Sequence, residues 1–202
     1  MKRAFDLVAA VAGLILLAPI MAVIAVLIRA DTDGPAVFRQ ERIGRGGRPF
    51  TLYKFRSMEA TSVPAGALIT ASTDQRITKI GARLRTTKLD ELPQLINVLR
   101  GEMSLVGPRP EVAKYVDIWS EEDRRMILSV RPGITDPATL DLQREELLLA
   151  EQSDPEAFYR DVLVPQKTRR YREYLESRTF LRDFQVVLLT LKCLITDRHR
   201  LE

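Results

Sequence analysis

The sequence predicts an α+β protein that is mainly helical and begins with a helix embedded in a membrane. Three observations support this fold class. Residues 7–28 carry no charged side chain, two β-forming segments flank a glycine-rich loop at 44–48, and apolar residues recur at helical spacing in much of the remainder. The 202 residues fit one compact unit with an appendage. We therefore expect a membrane helix at 1–30 and a cytosolic domain at 31–202, packed together as one structural unit.

The uncharged run at 7–28 is long enough to span a bilayer, because a helix rises about 1.5 Å per residue and the apolar core is roughly 30 Å thick. It is too apolar on all sides for a soluble helix and too long for the apolar region of a signal peptide. Pro19 removes a backbone hydrogen bond near its middle and predicts a break or sharp kink. Lys2, Arg3 and Arg29 place cations at both ends, so the positive-inside rule cannot choose an end that crosses. A re-entrant helix with both ends on the cytoplasmic face and a kinked spanning helix are about equally supported.

The next elements are a β-hairpin and two short helices. Segments 36–43 and 49–55 are rich in β-formers and are separated by a loop with two arginines, which predicts the hairpin. Residues 60–73 are small, polar and interrupted by proline and glycine, which predicts a surface loop. A basic helix is expected at 77–85. The apolar spacing at 92–99 predicts a second helix that begins with Asp90 as N-cap and ends at Gly101.

The C-terminal part is expected to be helical. Residues 111–129 and 140–150 fit amphipathic helices, separated by a turn that contains the sequence RPGIT at 131–135. The last helix, at 179–196, is nearly continuously apolar along one side. It fits either a core position or an interfacial position, and its apolarity slightly favours contact with the membrane surface.

Composition restricts the chemistry that the chain can perform. A single cysteine excludes an intrachain disulfide and a thiolate metal cluster. The only histidine is His199, close to the C-terminus, so histidine-based triads and metal motifs are excluded as well. Any proton transfer or nucleophilic attack then falls to Asp, Glu, Lys or Tyr. The net charge of +4 is mild, but the basic residues cluster at 39–56 and 76–88, which suits phosphates, anionic lipid or nucleic acid.

Two adjacent carboxylates, Asp90 and Glu91, lie within these basic surroundings at the predicted start of a helix. Taken alone they are more simply explained as capping residues, because Asp is favoured at the N-cap and Glu suits the first turn. In basic surroundings they also fit phosphate chemistry, in which cations hold the substrate and a carboxylate acts as metal ligand, base or nucleophile.

The chain resembles the monotopic phosphoglycosyl transferases, bacterial enzymes that initiate membrane glycan assembly. The resemblance rests on the apolar segment with its central Pro19, on GPAVFRQERIGRGGRPFTLYKFRSM at 34–58, on TKIGARLRTTKLDELPQLINVLRGEMSLVGPRPE at 78–111, and on RPGIT at 131–135. These pieces cover most of residues 1–135 in the family's order. The segment LDELPQLINVLRGEMSLVGPRPE is highly specific.

The resemblance implies transfer of a sugar-1-phosphate from a UDP-sugar to undecaprenyl phosphate, with release of UMP. This would be the first membrane step in making a capsule, exopolysaccharide, O-antigen or glycoprotein glycan. It implies that Asp90 is the nucleophile, forms a covalent phosphosugar and holds Mg²⁺, and that Glu91 assists. Phosphate contacts are expected from basic side chains, foremost Arg85 and Arg109, with further candidates Lys54, Arg56 and Arg131. The expected location is the bacterial inner membrane, with the catalytic domain on the cytoplasmic face.

Two positions depart from the family pattern. Ala18 precedes Pro19 where members often have a serine, which weakens the re-entrant prediction a little. Asp136 and Pro137 follow RPGIT where many members have glycine and an AQ-containing run, so this region is expected to shape a different sugar or nucleotide pocket. Residues 140–178 match only loosely, so the sugar preference cannot be inherited.

Two other functions fit parts of the sequence. A non-enzymatic, membrane-anchored binder of anionic lipid or nucleic acid would need no magnesium and give Asp90 no special role. Nucleic acid is disfavoured, because the cations flank a carboxylate pair and no RNA- or DNA-binding motif occurs. A different phosphotransferase would use the carboxylates only as metal ligands and form no covalent adduct. A homodimer is a further possibility that the sequence leaves open.

Overall fold

The computed structural model describes residues 2–59, 74–136 and 145–196. The helices are α1 (Lys2–Asp31), α2 (Lys79–Thr86), α3 (Gln94–Arg100), α4 (Ala113–Val116), α5 (Glu121–Ile127), α6 (Glu145–Ala150), α7 (Pro155–Phe158), α8 (Val164–Glu176) and α9 (Phe180–Thr196). The strands are β1 (Val37–Ile43), β2 (Pro49–Phe55), β3 (Ser104–Val106) and β4 (Gly133–Thr135). The predicted mainly helical α+β class is confirmed. The loop expected at 60–73 lies outside the described residues.

The predicted hairpin is present as β1 and β2, which pair antiparallel from Val37 opposite Phe55 to Ile43 opposite Pro49. Between them the chain reverses through a short 3-10 turn, Arg45–Gly47. Gly46 and Gly47 adopt φ of 71° and 75° there, a left-handed conformation that glycine adopts without a Cβ clash. The second sheet consists of β3 and β4, which pair in parallel.

Helix α1 runs through Pro19 without interruption. The expected break is therefore wrong, because a single proline removes one hydrogen bond and the bonds on either side still hold the helix together. The kink, the other form of that expectation, stays a prediction. Among the described helices, α1 alone is long and apolar enough to cross a membrane. That finding by itself does not choose between spanning and re-entry.

Both halves of α1 pack on the rest of the protein. In the N-terminal half, Ala10 is fully buried against Leu95 and Val98 of α3. In the C-terminal half, Ile24 and Ile28 are buried in a cluster with Phe55 and Leu84. The remaining face is exposed and apolar, with side chains that include Val8, Val11, Ile15, Leu16, Ile20, Val23, Val26 and Leu27.

The start of α3 differs from the prediction. Asp90 is not its N-cap, because a separate 3-10 turn, Leu89–Glu91, precedes the helix and Pro93 takes the cap position. The cause is Lys88, whose left-handed φ of 56° ends α2 and directs the chain into this turn. The predicted end of α3 at Gly101 is confirmed, with φ of 81°.

The helix expected at 111–129 is two helices, α4 and α5. Ser120 interrupts it, because its hydroxyl oxygen accepts a hydrogen bond from the Asp123 amide and so begins a new helix as an N-cap. Of the helix expected at 140–150, the described part is α6. These helices pack with α7 and α8 around a core that contains Tyr171, Leu163 and Trp119.

Helix α9 confirms the predicted final helix to within one residue. It is amphipathic, since Asp183 and Val186 are buried while Phe180, Leu181, Phe184, Leu188 and Leu189 are exposed. The parallel pair of β3 and β4 contacts α9 on one side. The described residues therefore include an exposed apolar face on α1 and another on α9.

Candidate active site

The carboxylate pair lies at the junction of α2 and α3. The tight turn at Leu89–Glu91 places Asp90 and Glu91 between these helices. Leu89 and Leu92, on either side of the pair, pack in the cluster that includes Ile24 and Phe55. Apolar packing thus fixes the turn that carries both acids.

Glu91 connects its own 3-10 turn to β2 and to the loop after β3 through ion pairs. Arg109, in the loop after β3, donates to Glu91 Oε1 from Nη2 at 2.6 Å and to Oε2 from Nη1 at 3.4 Å. Lys54, in β2, donates to Oε1 at 3.2 Å. Burial raises the pKa of Glu91, but Arg109 and Lys54 outweigh it and hold that pKa well below its ordinary value. Glu91 is therefore ionised at neutral pH and fixes both cations beside Asp90.

Asp90 has the opposite electrostatic environment. Its side chain is buried, and its Oδ1 has no hydrogen-bond partner within the described residues. Burial raises the pKa of Asp90 and the charge of Glu91 raises it further, against the opposing effects of Lys54, Lys88 and Arg85. Neighbouring carboxylates whose pKa values are driven apart are a common feature of catalytic sites.

The contacts with Glu91 also hold Lys54 and Arg109 in place and change their pKa values. Burial lowers the pKa of Lys54, and the charge of Glu91 opposes this effect. The charge of Glu91 raises the pKa of Arg109 well above its ordinary value, and Asp136 adds to that rise. Both side chains keep some solvent exposure, at 20% for Lys54 and 28% for Arg109, so an anion can still reach them.

The residues present fit a magnesium ion at Asp90. Mg²⁺ commonly takes one or two protein carboxylates and completes its shell with water and substrate phosphate oxygens. A buried carboxylate oxygen without a partner among the described residues matches the first requirement. Asp90 would hold the ion.

Of the predicted phosphate-binding residues, the structure places only some beside Asp90 and Glu91. Lys54 and Arg109 contact Glu91 directly, and Arg85 contributes to the electrostatic field at Asp90. Arg56 is placed differently. Its guanidinium donates to the backbone carbonyls of Ile28, Thr32 and Asp33 at the end of α1, and those contacts satisfy a helix C-terminus.

Arg131 also lies elsewhere. Its Nε donates to the Gly101 carbonyl at 2.7 Å, at the C-terminal end of α3. It lines a separate cavity together with Lys2 and Arg3 of α1. No described contact joins Arg131 to Asp90 or Glu91, and its predicted contact with a substrate phosphate stays a prediction.

Sequence reasoning missed Asn97, which connects α3 to the hairpin. Asn97 is fully buried, donates to the Thr51 carbonyl and to Glu102 at 2.7 Å each, and accepts from the Tyr53 amide at 3.1 Å. These bonds fix the register between α3 and the strand that carries Lys54. A polar residue in the middle of the apolar run LPQLINVL was the signal that could have identified it.

The family model for bacterial sugar transferases matches residues 1–197. The chain belongs to the bacterial sugar transferase family. The resemblance that the sequence motifs indicated is thereby confirmed, and so is the expectation that the protein is a transferase. The non-enzymatic binder is correspondingly disfavoured.

Several named members are similar to this bacterial sugar transferase. A UDP-glucose:undecaprenyl-phosphate glucose-1-phosphate transferase of Caulobacter vibrioides is 36% identical over 197 residues, which cover 96% of this chain and 70% of the relative. The Escherichia coli enzyme of the same name is 35% identical over 192 residues, covering 94% of this chain and 39% of the relative. A UDP-N-acetylgalactosamine-undecaprenyl-phosphate N-acetylgalactosaminephosphotransferase of Aeromonas hydrophila is 45% identical over 136 residues, covering 66% of this chain and 32% of the relative. The chain thus spans less than half the length of two of these relatives.

Proposed function

We propose that this protein transfers a sugar-1-phosphate from a UDP-sugar to undecaprenyl phosphate and releases UMP. The observation that carries the proposal is the buried carboxylate of Asp90, which has one oxygen without a partner among the described residues and lies beside a Glu91 held by Lys54 and Arg109. The names of the relatives support the substrate classes, since they contain both a UDP-sugar and undecaprenyl phosphate. The reaction would begin the membrane stage of glycoconjugate synthesis.

In the first step, a carboxylate oxygen of Asp90 attacks the phosphorus that bears the sugar. An O–P bond forms, the bond from that phosphorus to the bridging oxygen of the diphosphate breaks, and UMP leaves with the bridging oxygen. Lys54 and Arg109 offset the repulsion between the carboxylate and the diphosphate. Magnesium, when bound, would neutralise further charge on the diphosphate.

In the second step, a phosphate oxygen of undecaprenyl phosphate attacks the same phosphorus. The O–P bond to Asp90 breaks, the carboxylate is regenerated, and the diphosphate-linked lipid sugar leaves. Glu91 holds Lys54 and Arg109 in place through both steps. Its lowered pKa makes it a poor proton carrier at neutral pH, so electrostatic support is the role that its geometry favours.

The same proposal places α1 in the inner membrane with both of its ends on the cytoplasmic face. The contacts of α1 support this placement. Arg3, near its start, donates to the Val98 carbonyl at 2.8 Å, and Ile28, near its end, is buried against the domain. A straight helix of 30 residues would be about 45 Å long. A perpendicular span would move one end far from a domain that lies on one side of the bilayer.

The activity test measures UMP release from UDP-sugars with undecaprenyl phosphate and Mg²⁺. The donor panel includes UDP-glucose and UDP-N-acetylgalactosamine, the two donors in the relatives' names. We expect Asp90→Asn to lose more than about 1,000-fold in rate, since it removes the nucleophile. The matched control is Asp117→Asn, which makes the same change at an exposed acid.

The covalent step needs its own measurement. Wild type incubated with donor alone should gain the mass of one sugar phosphate by intact-protein mass spectrometry, and Asp90→Asn should not. An Asp117→Asn variant with normal activity and the same adduct completes the control. An active wild type that never forms an adduct would favour the phosphotransferase that uses its carboxylates only as metal ligands.

The topology test uses cysteine accessibility in membrane vesicles of known orientation. Cys193→Ser removes the single native thiol, and Ala4→Cys or Asp33→Cys then places one thiol at either end of α1. We expect both positions to react from the cytoplasmic side. Labelling from opposite sides would show that α1 spans the membrane and would leave the activity assignment untouched.

A further inference from the structure

A cavity lined mainly by basic side chains lies away from Asp90, where the start of α1 meets the hairpin tip and the loop before β4. It has a volume of about 230 Å³, well above the roughly 10–15 Å³ that one water requires. Its charged lining consists of five cations and one acid, namely Lys2, Arg3, Arg45, Arg131, Arg178 and Asp6. Such an excess of positive charge in one concave site attracts anions.

Ion pairs within the protein neutralise only part of this positive charge. Lys2 and Arg178 share Asp183 as a partner. Arg3 and Arg131 donate only to backbone carbonyls in the part of the chain that the structure describes. A guanidinium has five N–H donors, and Arg131 uses one of them. Arg45 makes no hydrogen bond or ion pair within residues 2–59, 74–136 and 145–196.

The one acid in the lining offsets only part of the positive charge. Asp6 is buried, with Oδ2 accepting from the Ser104 hydroxyl at 2.9 Å and Oδ1 accepting from the Leu105 amide at 3.2 Å. Both of its oxygens are therefore directed to β3. Arg3, Arg45 and Arg131 remain as cations without a described carboxylate partner.

Apolar side chains lie close in the chain to residues that line the cavity. Phe5, between two lining residues of α1, packs edge-on against Phe180 at 5.7 Å and Phe184 at 6.2 Å between ring centroids. Both partners belong to the exposed apolar face of α9, and Val8 of α1 is exposed as well. Cations beside exposed apolar and aromatic groups are the arrangement that a lipid headgroup region favours.

We propose that this cavity binds the phosphate of an anionic phospholipid headgroup, at a site separate from the carboxylate pair. The phosphate would lie between Arg45 and Arg131, while the acyl chains would follow the apolar faces of α1 and α9. The lipid origin of the phosphate rests on the proposed membrane placement of α1. The anion site itself rests only on the cavity and its charges.

The test measures thermal unfolding of the full chain in a non-ionic detergent, with no substrate and no activity readout. The added probes are dioctanoyl phosphatidylglycerol, dioctanoyl phosphatidylcholine, inorganic phosphate and farnesyl phosphate. Wild type is compared with Arg45→Glu and with Arg48→Glu. Both arginines are exposed in the same loop, and only Arg45 lines the cavity, so Arg48→Glu controls for the general effect of charge.

We expect phosphatidylglycerol to raise the Tm of wild type and of Arg48→Glu, with phosphatidylcholine giving little shift. Arg45→Glu should need at least about fivefold more phosphatidylglycerol for the same shift, since one cation near a lipid surface contributes about that factor. Equal shifts in all three proteins would overturn the site, because binding would then lie elsewhere or reflect general screening.

The other probes distinguish the source of the phosphate. An Arg45-dependent shift from inorganic phosphate as large as that from phosphatidylglycerol would keep the anion site and reject the phospholipid. An Arg45-dependent shift from farnesyl phosphate alone would reassign the cavity to a polyprenyl phosphate and overturn the proposal. A failed UMP assay leaves these results unaffected, since none depends on turnover.

Discussion

Asp90 and Glu91 are neighbours in the chain, yet the fold gives their carboxylates opposite environments. Glu91 is held between Arg109 and Lys54, whereas Asp90 is buried, and one of its oxygens has no partner in the part of the chain that the structure describes. A buried carboxylate without compensating bonds costs stability once it ionises. Such a cost is expected where a reactive group is kept for chemistry rather than for folding.

Asp90→Asn should therefore stabilise the protein while it abolishes transfer. The expected gain is about 0.5–2 kcal/mol at neutral pH without Mg²⁺, because the amide keeps the shape and removes the buried charge. Chemical denaturation in detergent measures it. Magnesium should stabilise wild type and leave Asp90→Asn unchanged, since Asp90 would be its protein ligand.

The pH dependence of that gain follows from the direction of the pKa shift. The pKa of Asp90 is raised above its ordinary 3.8 in the folded state. Well below 3.8 the group is protonated in both the folded and unfolded states, so the two proteins should be equally stable. As pH rises through the raised pKa, ionisation destabilises wild type and the advantage of Asp90→Asn should appear. An advantage that is constant with pH would contradict this explanation.

At the scale of elements, the site depends on how α1, the hairpin and α3 are joined. Arg56, at the end of β2, donates to the carbonyls at the end of α1. Asn97 connects α3 to β2. Neither side chain is described in contact with Asp90, so both are expected to act by positioning the elements that carry the site.

Arg56→Gln should lower stability by about 1–3 kcal/mol, because the carbonyls at the end of α1 lose a buried, charged donor. Its effect on kcat should be smaller than that of Arg109→Gln, which removes a cation beside Asp90. Unfolding experiments and UMP release measure the two effects. If Arg56→Gln kept full stability and raised the KM for the UDP-sugar, Arg56 would be a phosphate ligand, as the sequence predicted.

Asn97→Ala should cost about 2–4 kcal/mol, since it leaves the Thr51 carbonyl and the Tyr53 amide without their partner in a buried site. Glu102→Gln is the matched control, because the new amide oxygen can still accept from Asn97. We expect this control to unfold within about 0.5 kcal/mol of wild type. Equal losses in the two variants would mean that the charge of Glu102, and not the Asn97 bridge, holds the elements together.

At the scale of the whole molecule, the sequence predicted those elements whose structure depends on residues close by in the chain. The hairpin, the stop at Gly101 and the last helix depend on nearby residues, and they were confirmed. The cap at Asp90 and the break at Pro19 were wrong, because the left-handed Lys88 and the surviving hydrogen bonds of α1 decided those places. The hydrogen bonds of Arg56 and Arg131 go to carbonyls distant in the chain, and no local pattern predicts such contacts.

Membrane association is also a property of the whole molecule, because one face of α1 packs in the core and the other face is exposed. Leu16 is 75% exposed and lies at the centre of the apolar face, while Ile118 is 48% exposed on the domain between the acids Asp117 and Glu121. Leu16→Arg should reduce recovery in the membrane fraction, because an arginine at membrane depth costs about 2.5–3.5 kcal/mol on insertion scales. Ile118→Arg adds the same charge to a surface that anionic lipid would not favour, so its recovery should match wild type. Quantitative blotting after membrane flotation measures both. Equal recovery of Leu16→Arg and Ile118→Arg would show that the exposed face of α1 does not lie in the bilayer.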